Sequence, residues 1–116
     1  MDCIFCKIIA GDAPATFFLQ SYGAVVIKPI DPIAPVHALV IPRRHIADLN
    51  ELATSENDTF DSLAMLFQLA SRFVESQGLD KTGYRVVFNT GSDAKQTVPH
   101  LHMHVVGGGP LAHAFA

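Results

Sequence analysis

The chain lacks any apolar run approaching the ~20 residues that a membrane-spanning helix needs, so no membrane partner is expected. It is poor in cations: eight Lys and Arg against eleven Asp and Glu leave a formal charge of −3, with no basic cluster larger than Arg43-Arg44. A nucleic-acid groove is therefore not expected. The opening Met1-Asp2-Cys3-Ile4-Phe5-Cys6-Lys7 has neither the basic start nor the long apolar stretch of a secretory signal, which makes the cytoplasm the expected compartment. Only two cysteines occur, and in a reducing compartment Cys3-x-x-Cys6 reads as free thiols or metal ligands rather than a disulfide. Repeats, low-complexity tracts and linkers are also missing, so residues 1–116 are expected to form one domain. Apolar residues are plentiful: 49% of the chain is hydrophobic, enough for a core and room besides for a buried subunit interface.

Residues 3–10 form a short apolar stretch suited to one or two helical turns ending at Gly11. Thr16–Gln20 and Ala24–Lys28 read as strands joined by a turn at Ser21-Tyr22-Gly23. Three prolines between Pro29 and Pro35 exclude regular structure there and predict a crossing loop. His37–Pro42 reads as a buried strand with His37, Leu39 and Ile41 on one face. Phe60, Leu63, Ala64, Phe67, Ala70 and Val74 follow helical spacing and predict one long helix, capped by Thr54 or Ser55 and stopped near Gly78. Tyr84–Asn89 is a further strand, Thr90–Gln96 a polar turn-rich loop, and Gly107-Gly108-Gly109-Pro110 ends the last strand. About five strands, one long helix and a short N-terminal helix without βαβ alternation indicate an α+β domain on an antiparallel sheet.

The chemistry concentrates in Thr97-Val98-Pro99-His100-Leu101-His102-Met103-His104-Val105-Val106. Period-two spacing on a strand places His100, His102 and His104 on one face and Leu101, Met103 and Val105 on the other. Three readings follow. The imidazoles are buried hydrogen-bonding groups, or they bind Zn²⁺ or Cu²⁺, or the middle one is a nucleophile whose neighbours hold an anionic substrate. Two imidazolium charges ~7 Å apart at an effective dielectric of ~20 repel by about 2 kcal/mol, so clustering keeps the rings neutral. A neutral ring is what both a nucleophile and a metal ligand require. Asn89, Ser92, Gln96 and Thr97 place amides and hydroxyls just upstream, outlining a pocket able to hold phosphate oxygens.

Gln96-Thr97-Val98-Pro99-His100-Leu101-His102-Met103-His104-Val105-Val106 resembles the signature of the histidine triad (HIT) superfamily, His-φ-His-φ-His-φ-φ with φ apolar. The opening Cys3–Gly11, the stretch Pro35–Ile46, the strand Gly83–Asn89 and the segment Gly107–Leu111 are similar to further family motifs in the same order, most closely those of its nucleotide-binding branch. The resemblance implies a homodimer of α+β protomers that hydrolyses purine nucleoside 5′-phosphoramidates or related adenylate conjugates at the α-phosphorus. It implies His102 as nucleophile, His104 at the phosphate, His37 and His100 completing the active-site histidines, and Asn89, Gln96 and Thr97 at the phosphate oxygens. Ile27 and Asp31 are implied at the nucleoside. Some members with this Cys-x-x-Cys hold structural zinc, which here implies Cys3, Cys6, His45 and His100 as ligands, with no metal required for catalysis.

Two positions depart from the family pattern. Where the branch has an acid for the ribose hydroxyls this chain has Pro29, with Asp31 two residues on, and the family's Gly-Gly-Gln-Ser loop is Ala94-Lys95-Gln96-Thr97. The alternatives are a dinucleoside polyphosphate hydrolase or nucleotidyl transferase, and, outside enzymes, a nucleotide sensor or interaction scaffold. His113 lies outside every motif and reads as a surface or tail residue.

Overall fold

A computed structural model of the chain describes residues 3–54 and 59–112. The elements run α1 (Ile4–Ala10), β1 (Phe17–Gln20), β2 (Ala24–Ile27), β3 (Val36–Pro42), α2 (Leu49–Thr54), α3 (Thr59–Ser76), α4 (Leu79–Thr82), β4 (Tyr84–Phe88) and β5 (Met103–Gly107). The strands form one antiparallel sheet in the order β1-β2-β3-β5-β4. This is the expected α+β architecture, with the hairpin, the proline loop and the glycine stop where the sequence places them.

The sheet separates two apolar layers. Ala24, Val26, Ala38, Val40, Met103 and Val105 face α3 and pack on Leu66, Leu69, Ala70 and Phe73. Val25, Ile27, Leu39 and Ile41 leave the opposite face and pack on Cys3, Phe5 and Ile8 of the N-terminal segment. Period two thus buries every residue of β2 and every residue of β3 but Val36. Helix α1 starts on Cys3, whose sulfur accepts from the Cys6 N–H, and stops at Gly11, whose φ of +85° lets the chain reverse.

Three local expectations need correction. Helix α3 turns Leu66, Leu69, Ala70, Phe73 and Val74 to the sheet, while Phe60 and Phe67 are 87% and 48% exposed and Ala64 is exposed too. The helix carries two neighbouring apolar stripes, and periodicity alone does not rank them. Thr54 ends α2 instead of capping α3, and Ser55, like His113, lies outside the described residues. The last strand begins at Met103, so His100 and His102 both precede it and only His104 lies in it. Main-chain groups of the 98–101 segment are engaged elsewhere than in the ladder: the His100 N–H donates to the Val98 carbonyl and the Leu101 N–H to the Ile46 carbonyl.

Helices α2 and α4 are additions, since six and four residues show too little periodicity to read. Helix α2 does carry a local signal. Asp48 accepts from the Glu51 N–H at 2.9 Å and Glu51 accepts from the Ala47 N–H at 2.8 Å, a near-reciprocal cap of Asp-x-x-Glu form.

Candidate active site and metal centre

Strands β3, β5 and β4 set the side chains of the site in rows across one sheet face. His37 and Arg85 flank Val106, and Leu39 and Val87 flank His104. Main-chain groups then fix each imidazole. The Ile33 N–H, which can only donate, reaches His37 Nδ1 at 3.1 Å, so the proton of His37 resides on Nε2. That nitrogen lies 3.0 Å from His104 Nδ1, which must accept and leave His104 with its proton on Nε2. The carbonyl of His100 lies 2.7 Å from His102 Nδ1 and can only accept, so His102 keeps a bare lone pair on Nε2. The Pro42 carbonyl, 2.8 Å from His100 Nε2, leaves the lone pair of His100 on Nδ1.

Burial acts in the same direction. It is the largest cause lowering the pKa of His37, His100 and His102, although the His100 carbonyl partly opposes it at His102. His104 is lowered to about 4, by burial first and then by its neighbours His102 and His37. Burial thus favours the neutral form of all four rings. The ring of His102 packs edge-on against Phe5 at 5.0 Å and sits 5.1 Å from the ring of His104.

These histidines open onto a cleft of about 520 Å³ that His37, His102, His104, Asn89, Thr97 and Asp31 help to line. Toward β2 it shares Phe5, Pro29, Leu39 and Val98 with an apolar compartment of about 400 Å³. Ile27, 2% exposed, lines that compartment and not the cleft itself. Gln96 is turned elsewhere. Its Oε1 accepts from the Gly91 N–H at 3.0 Å, and its Nε2 donates to the carbonyls of Ala47 at 2.8 Å and Val98 at 3.0 Å. The amide fastens the 91–95 turn. Lys95, in that turn, has a φ of +63°, a conformation in which glycine is unstrained.

His100 turns from the cleft toward a second cluster. The ligand atoms of Cys3, Cys6, His45 and His100 lie within 4.8 Å of one another. His100 Nδ1 is 3.4 Å from Cys3 Sγ, 3.5 Å from Cys6 Sγ and 3.2 Å from His45 Nδ1, and Cys6 Sγ is 3.3 Å from His45 Nδ1. Zinc bonds of about 2.3 Å to sulfur and about 2.05 Å to nitrogen at tetrahedral angles predict edges of about 3.3–3.8 Å. The four separations above, 3.2–3.5 Å, lie close to those edges, and the other pairs stay within 4.8 Å. Burial first, and then the neighbouring Cys3 thiol, raise the pKa of Cys6, an opposition that a cation between the ligands would reverse. The residues present fit a closed Cys₂His₂ zinc site.

The HIT domain profile matches residues 10–111. The chain belongs to the HIT domain family. The HIT match includes His37, His45 and the three clustered histidines, while Cys3 and Cys6 precede it. The chain is 33% identical over 110 residues to the purine nucleoside phosphoramidase of Escherichia coli K12, covering 95% of this chain and 90% of that one. A histidine triad protein structure from Clostridium difficile superposes with a TM-score of 0.91 at 34% identity, covering 99% of this chain and 97% of the other. A Zn-bound histidine triad family protein from Mycobacterium smegmatis gives a TM-score of 0.73 at 37% identity, covering 91% and 74%.

Of the residues that sequence reasoning singled out, the fold gathers His37, His102, His104, Asn89, Thr97 and Asp31 at the cleft. It gathers Cys3, Cys6, His45 and His100 at the metal cluster, and sets Ile27 and Gln96 outside the cleft. Phe5, the Ile33 N–H and Arg85 join the site without having been expected from the sequence. For Arg85 the signal was available, since 85, 87 and 89 share the parity of Asn89 along β4.

Proposed function

We propose that the chain is a nucleotide hydrolase that cleaves purine nucleoside 5′-phosphoramidates or related adenylate conjugates at the α-phosphorus through a nucleotidyl–His102 intermediate. The observation that carries this reading is the His102 ring itself. Its Nδ1–H is held by the His100 carbonyl, its Nε2 lone pair is free, and it stands beside His104 in the cleft. The E. coli relative named a purine nucleoside phosphoramidase supports the substrate class.

In the first step the His102 Nε2 lone pair forms a bond to phosphorus. The P–N bond to the amine breaks, its electron pair stays on the departing nitrogen, and that nitrogen takes a proton from water beside the Thr97 hydroxyl. His104, neutral with Nε2–H, donates a hydrogen bond to a phosphate oxygen, and Asn89 contributes another. In the second step water attacks phosphorus, the P–Nε2 bond breaks and His102 recovers its lone pair. The proton that water gives up balances the one consumed before. The purine lies in the apolar compartment, beside Ile27 and Leu39, with Asp31 nearest the ribose.

Cys3, Cys6, His45 and His100 would hold zinc through two thiolates and two Nδ1 lone pairs, where the ion supplies structural charge balance and no open coordination position. That binding would secure the N-terminal segment and the carbonyl that orients His102. The exposed Phe60, Phe67 and Tyr84, together with β4 at the sheet edge, support a homodimer. The same reading makes the chain a cytoplasmic enzyme of one domain; none of the described helices is long and apolar enough to cross a membrane.

The test uses adenosine 5′-phosphoramidate with radiolabelled phosphorus. Wild type is expected to turn it over and to carry label on protein in an acid quench, whereas His102→Ala and His102→Gly bind adenosine monophosphate but neither turn over nor label. Turnover by a folded His102 variant would remove the covalent mechanism. Tight nucleotide binding without any product from wild type would make the chain a sensor instead.

A further inference from the structure

Among the described residues Arg85 is the one Lys or Arg side chain lining the cleft, and neither the nucleophile nor the phosphate contacts make use of it. It projects from β4 on the same sheet face as Val87, while Val86 and Phe88 pack into the α3 layer. Its row holds Val106 and His37, and the next row holds Val87, His104 and Leu39. Among the described residues its hydrogen bond is a single one, from Nη1 to the Ala112 carbonyl at 3.0 Å. A guanidinium has five N–H donors in a planar fork, so most of its donors remain for a ligand.

The cleft is therefore asymmetric about His104. Toward β3 and β2 lies the apolar compartment bounded by Ile27, Leu39 and Phe5. Toward β4 lies Arg85, with Leu111 and Ala112 closing that end. A flat, weakly polar ring suits the first side and an oxyanion suits the second. From the His104 row to the Arg85 row is two residues along β5, about 7 Å, and the arginine side chain covers part of that span. An anion held there would lie on the β4 side of His104, away from the apolar compartment that suits the base.

We propose that Arg85 determines leaving-group specificity, favouring departing groups that carry an oxyanion, a carboxylate or a further phosphate, over neutral amines. This rests on the hydrolase reading above. The charge of Arg85 acts on the leaving group and leaves the attack by His102 on phosphorus as described, with the same bonds made and broken.

The test compares three substrates on the full chain: the alanine phosphoramidate of adenosine monophosphate as its free acid, the same compound as its methyl ester, and a diadenosine polyphosphate. Wild type is expected to favour the free acid or the polyphosphate over the ester in kcat/KM. Arg85→Gln is expected to reduce that preference by about ten- to a hundredfold, the effect of one charge-assisted hydrogen bond to an ionic group. Arg85→Lys should retain part of it, having the charge without the fork. Collapse for the polyphosphate alone makes the oxyanion a phosphate, and collapse for the acid alone makes it a carboxylate. Equal losses on acid, ester and polyphosphate would reduce Arg85 to a tether for residues 111–112, and an unchanged preference would place it out of reach. Either result overturns the proposal while ester turnover keeps the hydrolase reading intact. A wild type that cleaves none of the three removes that reading itself.

Discussion

His37 and His104, sixty-seven positions apart, face each other across β3 and β5 with Nε2 of the first 3.0 Å from Nδ1 of the second. The far nitrogen of His37 is occupied by the Ile33 N–H in the proline loop. One main-chain donor therefore sets the tautomers of two rings in series, and the second presents an N–H toward the cleft. Replacing His37 by Ala leaves His104 Nδ1 without its donor and free to take the proton, so that Nε2 loses its hydrogen.

Loss of that orientation is expected to lower kcat on adenosine 5′-phosphoramidate about ten- to a hundredfold in His37→Ala, the usual effect of removing a group that orients a functional histidine. His37→Gln, whose amide can still donate to His104, should recover part of the rate. Steady-state kinetics on both variants, with circular dichroism to verify folding, checks this.

Acid is expected to destabilise the fold through the same pair. His104 titrates at about 4 when folded against an ordinary value of 6.5, and His37 is lowered as well. Between those values the unfolded chain binds the proton and the folded chain does not, so stability falls as pH drops from 6.5 toward 4 and is flat with respect to these groups above 6.5. Urea midpoints across that range should decline in wild type and decline less in His104→Asn.

Metal content separates the two clusters. About one zinc per chain is expected from elemental analysis, lost in Cys3→Ser and retained in His102→Ala, with a lower Tm in the metal-free protein. Zinc that disappears with His102 and stays with Cys3→Ser would move the metal to the cleft.

Lys95→Gly is expected to stabilise the protein by up to about 1 kcal/mol, since glycine relieves the left-handed φ of +63° and gives back part of the gain through unfolded-chain entropy. Gln96→Ala, in contrast, strips three hydrogen bonds from the adjoining turn and should cost about 1–3 kcal/mol. Thermal melts of the two variants should move in opposite directions.

Much of the sheet was legible because β2, β3 and β5 are short, largely apolar runs buried at nearly every position and bounded by Gly and Pro. The face of α3 was not legible, because Phe60 and Phe67 are as hydrophobic as Leu66 and Phe73, and only contact with the sheet distinguishes them. Gln96 read as a phosphate ligand from its residue type, yet three nearby main-chain groups occupy its amide.

The sequence by itself determined the α+β class, the family and the identity of the histidines and cysteines, because period, breakers and motif spacing are local properties of the chain. The tertiary structure decided how these residues divide between two sites. His100 and His102 are two positions apart, yet the first faces Cys3, Cys6 and His45 and the second faces the cleft. The deciding groups are the Pro42 carbonyl, the His100 carbonyl and the Ile33 N–H, main-chain atoms common to every residue. Their position depends on how the strands and loop pack, which no side-chain pattern records.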